Sequence, residues 1–230
     1  MNGKIIVIEG LDGSGKNTQT KLLVDYLKKS KSDKYKAENI KYISFPNYSS
    51  PSSALVKMYL NSEFGKKPED VNAYAAASFY AVDRYADFKK NWESFYKNSE
   101  NIIVCDRYTT SNAIYQMCKL TEDKWPNYLS WLYDYEYNKL ELPKPTSVIY
   151  LDMPIDISQN LMKKRYGGDD SKKDLHEANL KFLKTCEKAA KYISAQDSWF
   201  SISCVENEKI KNKEQIHNEI INFLEKNILN

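Results

Sequence analysis

Apolar residues follow two rhythms along this chain. Short runs that are apolar nearly throughout, such as "KIIVIE" (4 to 9), "IKYISF" (40 to 45), "NIIVCD" (101 to 106) and "SVIYLD" (147 to 152), stop at a glycine, a proline or an acid. "FSISCV" (200 to 205) is a weaker fifth run. Runs of this length with no polar alternation read as strands buried on both faces. Between them apolar residues recur every three or four positions. Leu22, Leu23, Tyr26 and Leu27 share one face of a helix opening after the first run, and Phe79, Val82, Tyr85 and Phe88 mark another. Helical patterns cover residues 52 to 62, 70 to 98, 110 to 120, 126 to 139, 155 to 165, 174 to 195 and 213 to 227. Strands alternating with helices predict an α/β fold: a parallel five-stranded sheet flanked by helices on both faces. In such a sheet, ligands bind beyond the carboxyl ends of the strands, where Gly10, Pro46, Asp106 and Asp152 project.

The loop after the first strand, "GLDGSGKNTQ" (10 to 19), follows the phosphate-gripping pattern of Gly, four residues, Gly, Lys. Its backbone N–H groups can cradle a polyphosphate, Lys16 adds a point charge, and the helix N-terminus adds its dipole. The residue after the lysine is Asn17, where the pattern has a hydroxyl for magnesium. Asp106 and Arg107, in "VCDRY", follow a strand directly. A carboxylate there can orient water on a magnesium ion, and the guanidinium can neutralise charge on a phosphoryl group in transit. The bland alternative is an ion pair at a strand end. A second "DRY" at 83 to 85 lies within a helical pattern, so position and not the tripeptide discriminates.

Composition sharpens this picture. With 230 residues, 42% apolar, the chain is expected to form one domain over 1 to 230. A net charge of +3 without a basic block argues for a small partner and against a nucleic-acid polymer. No run is long and apolar enough for a membrane span, and "MNGKIIVIEG" enters a strand at once, so a cytoplasmic, membrane-free protein is expected. Cys105, Cys118, Cys186 and Cys204 show no metal-ligand spacing with His176 or His217 and read as reduced thiols. Among 34 basic residues only Arg84, Arg107 and Arg165 are arginine, which draws attention to planar, bidentate tasks that lysine cannot take over. Five of seven glycines sit at two places: Gly10, Gly13 and Gly15 in the loop, Gly167 and Gly168 after Arg165. Tyr80 and Arg84, one helical turn apart, suit a planar base, although aromatic residues at helical spacing are more often core. "KKRYGGDDSKKD" (163 to 174) is either a solvated loop or a mobile lid that carries Arg165 over phosphates.

Together these residues resemble the thymidylate kinase family of nucleoside monophosphate kinases over nearly the whole chain. The resemblance rests on "IEGLDGSGKNTQ", "FP" at 45 and 46, "FYAVDR", "DRYTTSNAIYQ", "LPKP" before a strand ending "YLD", and Asp174 with Glu177 after the lid. It implies a P-loop NTPase-type sheet, a homodimer, Mg2+ as cofactor, and transfer of the ATP γ-phosphoryl group to dTMP. ATP would be held by Gly10, Leu11, Asp12, Gly13, Ser14, Gly15, Lys16, Asn17 and Thr18, with Mg2+ at Asn17 and Asp106, partly through water. dTMP would be held by Asp12, Phe45, Pro46, Tyr80, Arg84, Arg107, Ser111, Tyr115 and Gln116. Lys16, Asp106, Arg107 and Arg165 would be catalytic. Gly13 with a basic lid resembles the bacterial arrangement, in which the lid supplies the catalytic arginine, here Arg165 helped by Lys172 and Lys173. Two positions depart from the family pattern: Asn17 in place of Ser or Thr, and Tyr48 where an Arg usually meets the acceptor phosphate. A kinase of the same fold acting on a deoxynucleoside or another monophosphate, and a slowly hydrolysing nucleotide-binding switch protein, are the rival expectations.

Overall fold

The computed structural model describes residues 2–29, 36–165, 167, 169, 174–177 and 179–229, with the Arg165 side chain excepted. The five runs are strands: β1 (Lys4–Gly10), β2 (Ile40–Ser44), β3 (Ile102–Asp106), β4 (Ser147–Asp152) and β5 (Phe200–Ser203). All pair in parallel, in the order β2-β3-β1-β4-β5. β1 lies at the centre, with Val7 between Cys105 and Val148. Full burial of Ile5, Ile6, Val7 and Ile8 explains why this strand shows no alternation, and each such side chain contributes about 2 kcal/mol to the core.

The helices are α1 (Lys16–Lys29), α2 (Ala54–Leu60), α3 (Ala73–Asp87), α4 (Glu93–Tyr96), α5 (Thr110–Tyr115), α6 (Trp125–Tyr133), α7 (Ile155–Arg165), α8 (Leu180–Gln196) and α9 (Lys213–Asn227). One sheet face, presenting Ile6, Ile8, Val104, Ile149 and Leu151, packs on Leu23 and Leu27 of α1 and Ile216, Ile220 and Leu224 of α9. The opposite face packs on Phe88 and Trp92, and on α5, α6 and α8. Helices therefore cover both faces, as the strand pattern predicts.

Besides a π-helical turn at Phe88–Trp92 between α3 and α4, and the end of α5 at Tyr115 where the pattern runs to 120, the structure departs from the sequence pattern in three places. The helix expected from residue 174 begins at Leu180, because the Asn179 side chain accepts from the Phe182 N–H at 3.0 Å and caps it there. Upstream, Asp174 Oδ1 accepts from the N–H groups of His176 and Glu177, both at 2.9 Å, and makes a turn. A short antiparallel hairpin, β6 (Val205–Glu206) and β7 (Lys209–Ile210), follows β5 around Asn207 and Glu208, both with positive φ. The helix expected over 126 to 139 holds, but its second half, Asp134–Lys139, is wound as a π-helical turn.

Candidate functional site

Between β1 and α1 the chain wraps into a loop in which Gly13 (φ +81°) and Gly15 (φ +89°) take left-handed conformations that side chains disfavour. Gly13 has a second reason to be glycine: a Cβ there would lie 2.7 Å from the Ser158 carbonyl oxygen on α7. Lys16 opens α1 and is buried, its Nζ donating to the Leu11 carbonyl at 2.8 Å and lying 3.8 Å from Asp12. Burial and the nearby Arg107 charge lower its pKa to about 8, against the pull of Asp12, Asp106 and Glu9.

β3 delivers Asp106 and Arg107 beside this loop. Asp106 is buried, and its Oδ2 accepts from the Asn17 Nδ2 at 3.3 Å; the same nitrogen donates to the Tyr42 hydroxyl at 3.2 Å. Arg107 has φ +67°, a conformation costing a non-glycine residue about 1 kcal/mol or more. Its surroundings hold it there. The backbone N–H donates to the Ile8 carbonyl at 3.2 Å, and the guanidinium donates to Asp12, to the Tyr115 hydroxyl at 3.3 Å and to Ser111 Oγ at 3.4 Å. The guanidinium also lies over the Tyr115 ring, 4.9 Å from its centroid. Burial would raise the Asp12 pKa, but Arg107, Lys16 and the Tyr115 hydroxyl hold it at about 2. The surface ion-pair alternative for "DRY" at 106 to 108 does not hold, since these partners are buried or half-buried. In the copy at 83 to 85, Asp83 instead receives the Asn47 N–H at 2.8 Å and the Ser52 hydroxyl at 2.6 Å, pinning the turn after β2.

These groups open into a cavity of about 370 Å³ at the carboxyl ends of the strands. Every residue expected to hold dTMP borders it: Asp12, Phe45, Pro46, Tyr80, Arg84, Arg107, Ser111, Tyr115 and Gln116. Of the residues expected at ATP, Gly13, Gly15, Lys16, Asn17 and Thr18 border it too, whereas Leu11 packs into the core. Gly10 and Ser14 lie outside the cavity lining and shape the loop, a Cβ on Gly10 falling 2.5 Å from Ser14 Oγ. Gln116 is buried with Oε1 unpartnered among the described residues. Tyr48 stands at the rim of the cavity and is exposed. Arg165 ends α7, but its side chain, Lys172, Lys173 and most of the predicted lid lie outside the described residues.

Sequence reasoning missed four residues that organise the site. Glu9 is fully buried and accepts from the Gly10 N–H at 3.0 Å and from Thr110 and Ser111, each at 2.8 Å, with Arg107 3.6 Å away. An acid inside an apolar strand was the available signal. His176 is stacked on Tyr115, with centroids 5.5 Å apart, and its Nε2 lies 2.8 Å from the Tyr59 hydroxyl. Burial and the Lys119 charge lower its pKa to about 3, so it is neutral, while burial and Asp12 raise neighbouring Asp174 to about 7. The other two are Asn112 and Glu136. Arg84 is buried and bound in a fork by Glu136, whose charge raises the guanidinium pKa although burial opposes it. A cationic, glycine-cradled end and an aromatic end thus share one cavity, suited to bringing two phosphate-bearing molecules together.

Comparison with known proteins agrees. The thymidylate kinase family model matches residues 8–220. The thymidylate kinase of Plasmodium falciparum is 28% identical over 219 residues, 95% of this chain and 88% of that protein. A probable thymidylate kinase of Methanococcus aeolicus is 28% identical over 223 residues, 96% of this chain and 95% of its own. The solved thymidylate kinase of Candida albicans aligns with a TM-score of 0.72 at 22% identity, covering 99% of this chain and 93% of that one. That of Ehrlichia chaffeensis gives 0.66 at 18%, covering 97% and 100%. The two structures support the fold, and the family match supports membership.

Proposed function

The chain belongs to the thymidylate kinase family, and from that premise we propose that its cavity transfers the γ-phosphoryl group of ATP to the 5′-phosphate of dTMP, giving dTDP. The observation that carries this reading is the convergence of Lys16, Asp106 and Arg107 with Tyr80, Arg84 and Asp12 around one cavity. Loop amides and Lys16 hold the donor's phosphates, and Tyr80 and Arg84 hold the acceptor's base. Asp12, ionised at any physiological pH, accepts a hydrogen bond from the sugar hydroxyl. The acceptor phosphate is itself the nucleophile and is largely deprotonated at neutral pH, so no general base is required. Arg107, aimed by Asp12, Tyr115 and Ser111, neutralises charge spreading over the phosphoryl group in transit.

Asp106 and Asn17, in contact at the loop, offer only oxygen and amide donors, a set suited to a hard divalent cation that keeps most of its water. Mg2+ held by Asp106 and Asn17 would supply positive charge that offsets the charge of the donor's phosphates. The Tyr48 phenol is neutral and protonated at physiological pH and borders the cavity, so it can donate to the acceptor phosphate where the family has an arginine. The same substitution favours a second reading, in which an unphosphorylated deoxynucleoside is the acceptor. Exposed Tyr74, Val82 and Tyr85 give α3 an apolar stripe suited to a homodimer.

Arg107→Ala tests the catalytic assignment. Turnover falls by about 10³-fold at saturating substrates, and a variant with full turnover contradicts it.

A further inference from the structure

Arg84 on α3 and Asn112 on α5 reach the cavity from different elements, and one buried carboxylate holds both. Glu136 sits in the π-helical turn after α6 with no solvent exposure. Its Oε2 accepts from Arg84 Nε at 2.8 Å, and its Oε1 accepts from Arg84 Nη2 at 2.6 Å and from Asn112 Nδ2 at 2.8 Å. A guanidinium forked through Nε and Nη2 has Nη1 left as its outward donor.

The Asn112 amide is fixed just as firmly. Its Nδ2 faces two acceptors, Glu136 Oε1 and the Ala77 carbonyl at 3.0 Å. An amide oxygen turned to that side would meet both acceptors with no proton to share, so chemistry alone decides the orientation. Oδ1 is then the polar atom left to the cavity, with no partner among the described residues. The cavity wall therefore carries a donor from Arg84 and an acceptor from Asn112, their polarity set by one carboxylate.

A 4-oxopyrimidine presents the complement, a C4 carbonyl acceptor beside an N3–H donor. A 4-aminopyrimidine presents the reverse, an amino donor beside a bare N3. We propose that Glu136 is a positioning residue that sets the polarity of the base-reading edge, admitting thymine and uracil and rejecting cytosine. This rests on the nucleotide-acceptor reading above and adds the group that enforces its base specificity. Sites built to pair a hydrogen-bonding edge reject the mismatched edge strongly, because buried groups are left unpaired.

The test is kcat/KM for dTMP, dUMP and dCMP in the unaltered protein and in Glu136→Gln. A glutamine at 136 has one oxygen and one NH2, so it cannot accept from both Arg84 and Asn112 through two oxygens, and one of them turns. The expected result is a fall of about 100-fold for dTMP and dUMP together, carried mainly by KM, with the dTMP-to-dCMP preference reduced at least about tenfold. The dTMP-to-dUMP ratio stays unchanged, since both bases share this edge. An equal fall for all three acceptors, the ratios intact, assigns Glu136 to packing alone and overturns the proposal. If Glu136→Gln does not fold, Asn112→Ser carries the same test: the dTMP-to-dCMP preference falls, and an unchanged preference overturns the proposal. An unaltered protein that phosphorylates none of the three refutes the acceptor reading itself, an outcome distinct from intact ratios in an active variant.

Discussion

Lys16 shows how a side chain near phosphate is tuned. Burial and the Arg107 charge hold its pKa at about 8, below the ordinary lysine value, while Asp12 beside it stays ionised with a pKa of about 2. The ammonium is present below pH 8 and is lost above it. Donor affinity is therefore expected to fall as pH rises through 8, the KM for ATP increasing toward tenfold per unit while that for dTMP changes little above pH 8. Two other groups titrate nearby: Lys119, also lowered to about 8, lies over the Tyr59 ring outside the cavity lining, and Asp174, at about 7, borders the cavity and affects dTMP below pH 8. Measuring both KM values from pH 6.5 to 9.5 checks this, and a KM for ATP that stays flat to pH 9.5 contradicts it. Arg107 shows the complementary device: a left-handed backbone held by Ile8, with the guanidinium steered by Asp12, Tyr115 and Ser111.

Among the elements, those with strong local patterns were readable from sequence. The five strands were, because a parallel sheet buries both faces and leaves continuous apolar runs. So was the loop-to-α1 transition, where glycine spacing encodes backbone conformation. Where a side chain answers to distant partners, the sequence was silent. Glu136 lies on a helical stretch that looks like ordinary amphipathic surface, and only folding brings Arg84 and Asn112 to it. The turn at 174 to 177 was hidden because its pattern continues into α8, and only the Asn179 cap marks the break. Glu9 was visible as an acid in an apolar strand, but its partners Thr110 and Ser111 lie some hundred residues away. The proposed homodimer carries an expectation for α3: its exposed stripe of Tyr74, Val82 and Tyr85, with Tyr74 edge-on to Trp131 of α6 at 4.6 Å, is the face expected between the two copies. Sedimentation is expected to show a dimer that Val82→Glu converts to monomer, and an unaltered protein that sediments as a monomer at micromolar concentration contradicts this.

Taken as a whole, the molecule is a sheet whose strand ends deliver the loop, Asp106, Arg107 and the turn at Phe45 and Pro46 to one place, with α3, α5 and the residues Asp174, His176 and Glu177 lining the sides. Donor and acceptor would meet in that cavity with their charge faced by Lys16 and Arg107, which is what phosphoryl transfer requires when positioning and electrostatics supply the rate. The most direct measurement is product analysis by chromatography with ATP and Mg2+ against dTMP, thymidine and dGMP in turn. dTDP forming from dTMP far faster than products from the other two, and ceasing when EDTA removes the metal, is the predicted result. Phosphorylation of thymidine with dTMP left unchanged, or ATP hydrolysis with no phosphorylated acceptor, contradicts the account.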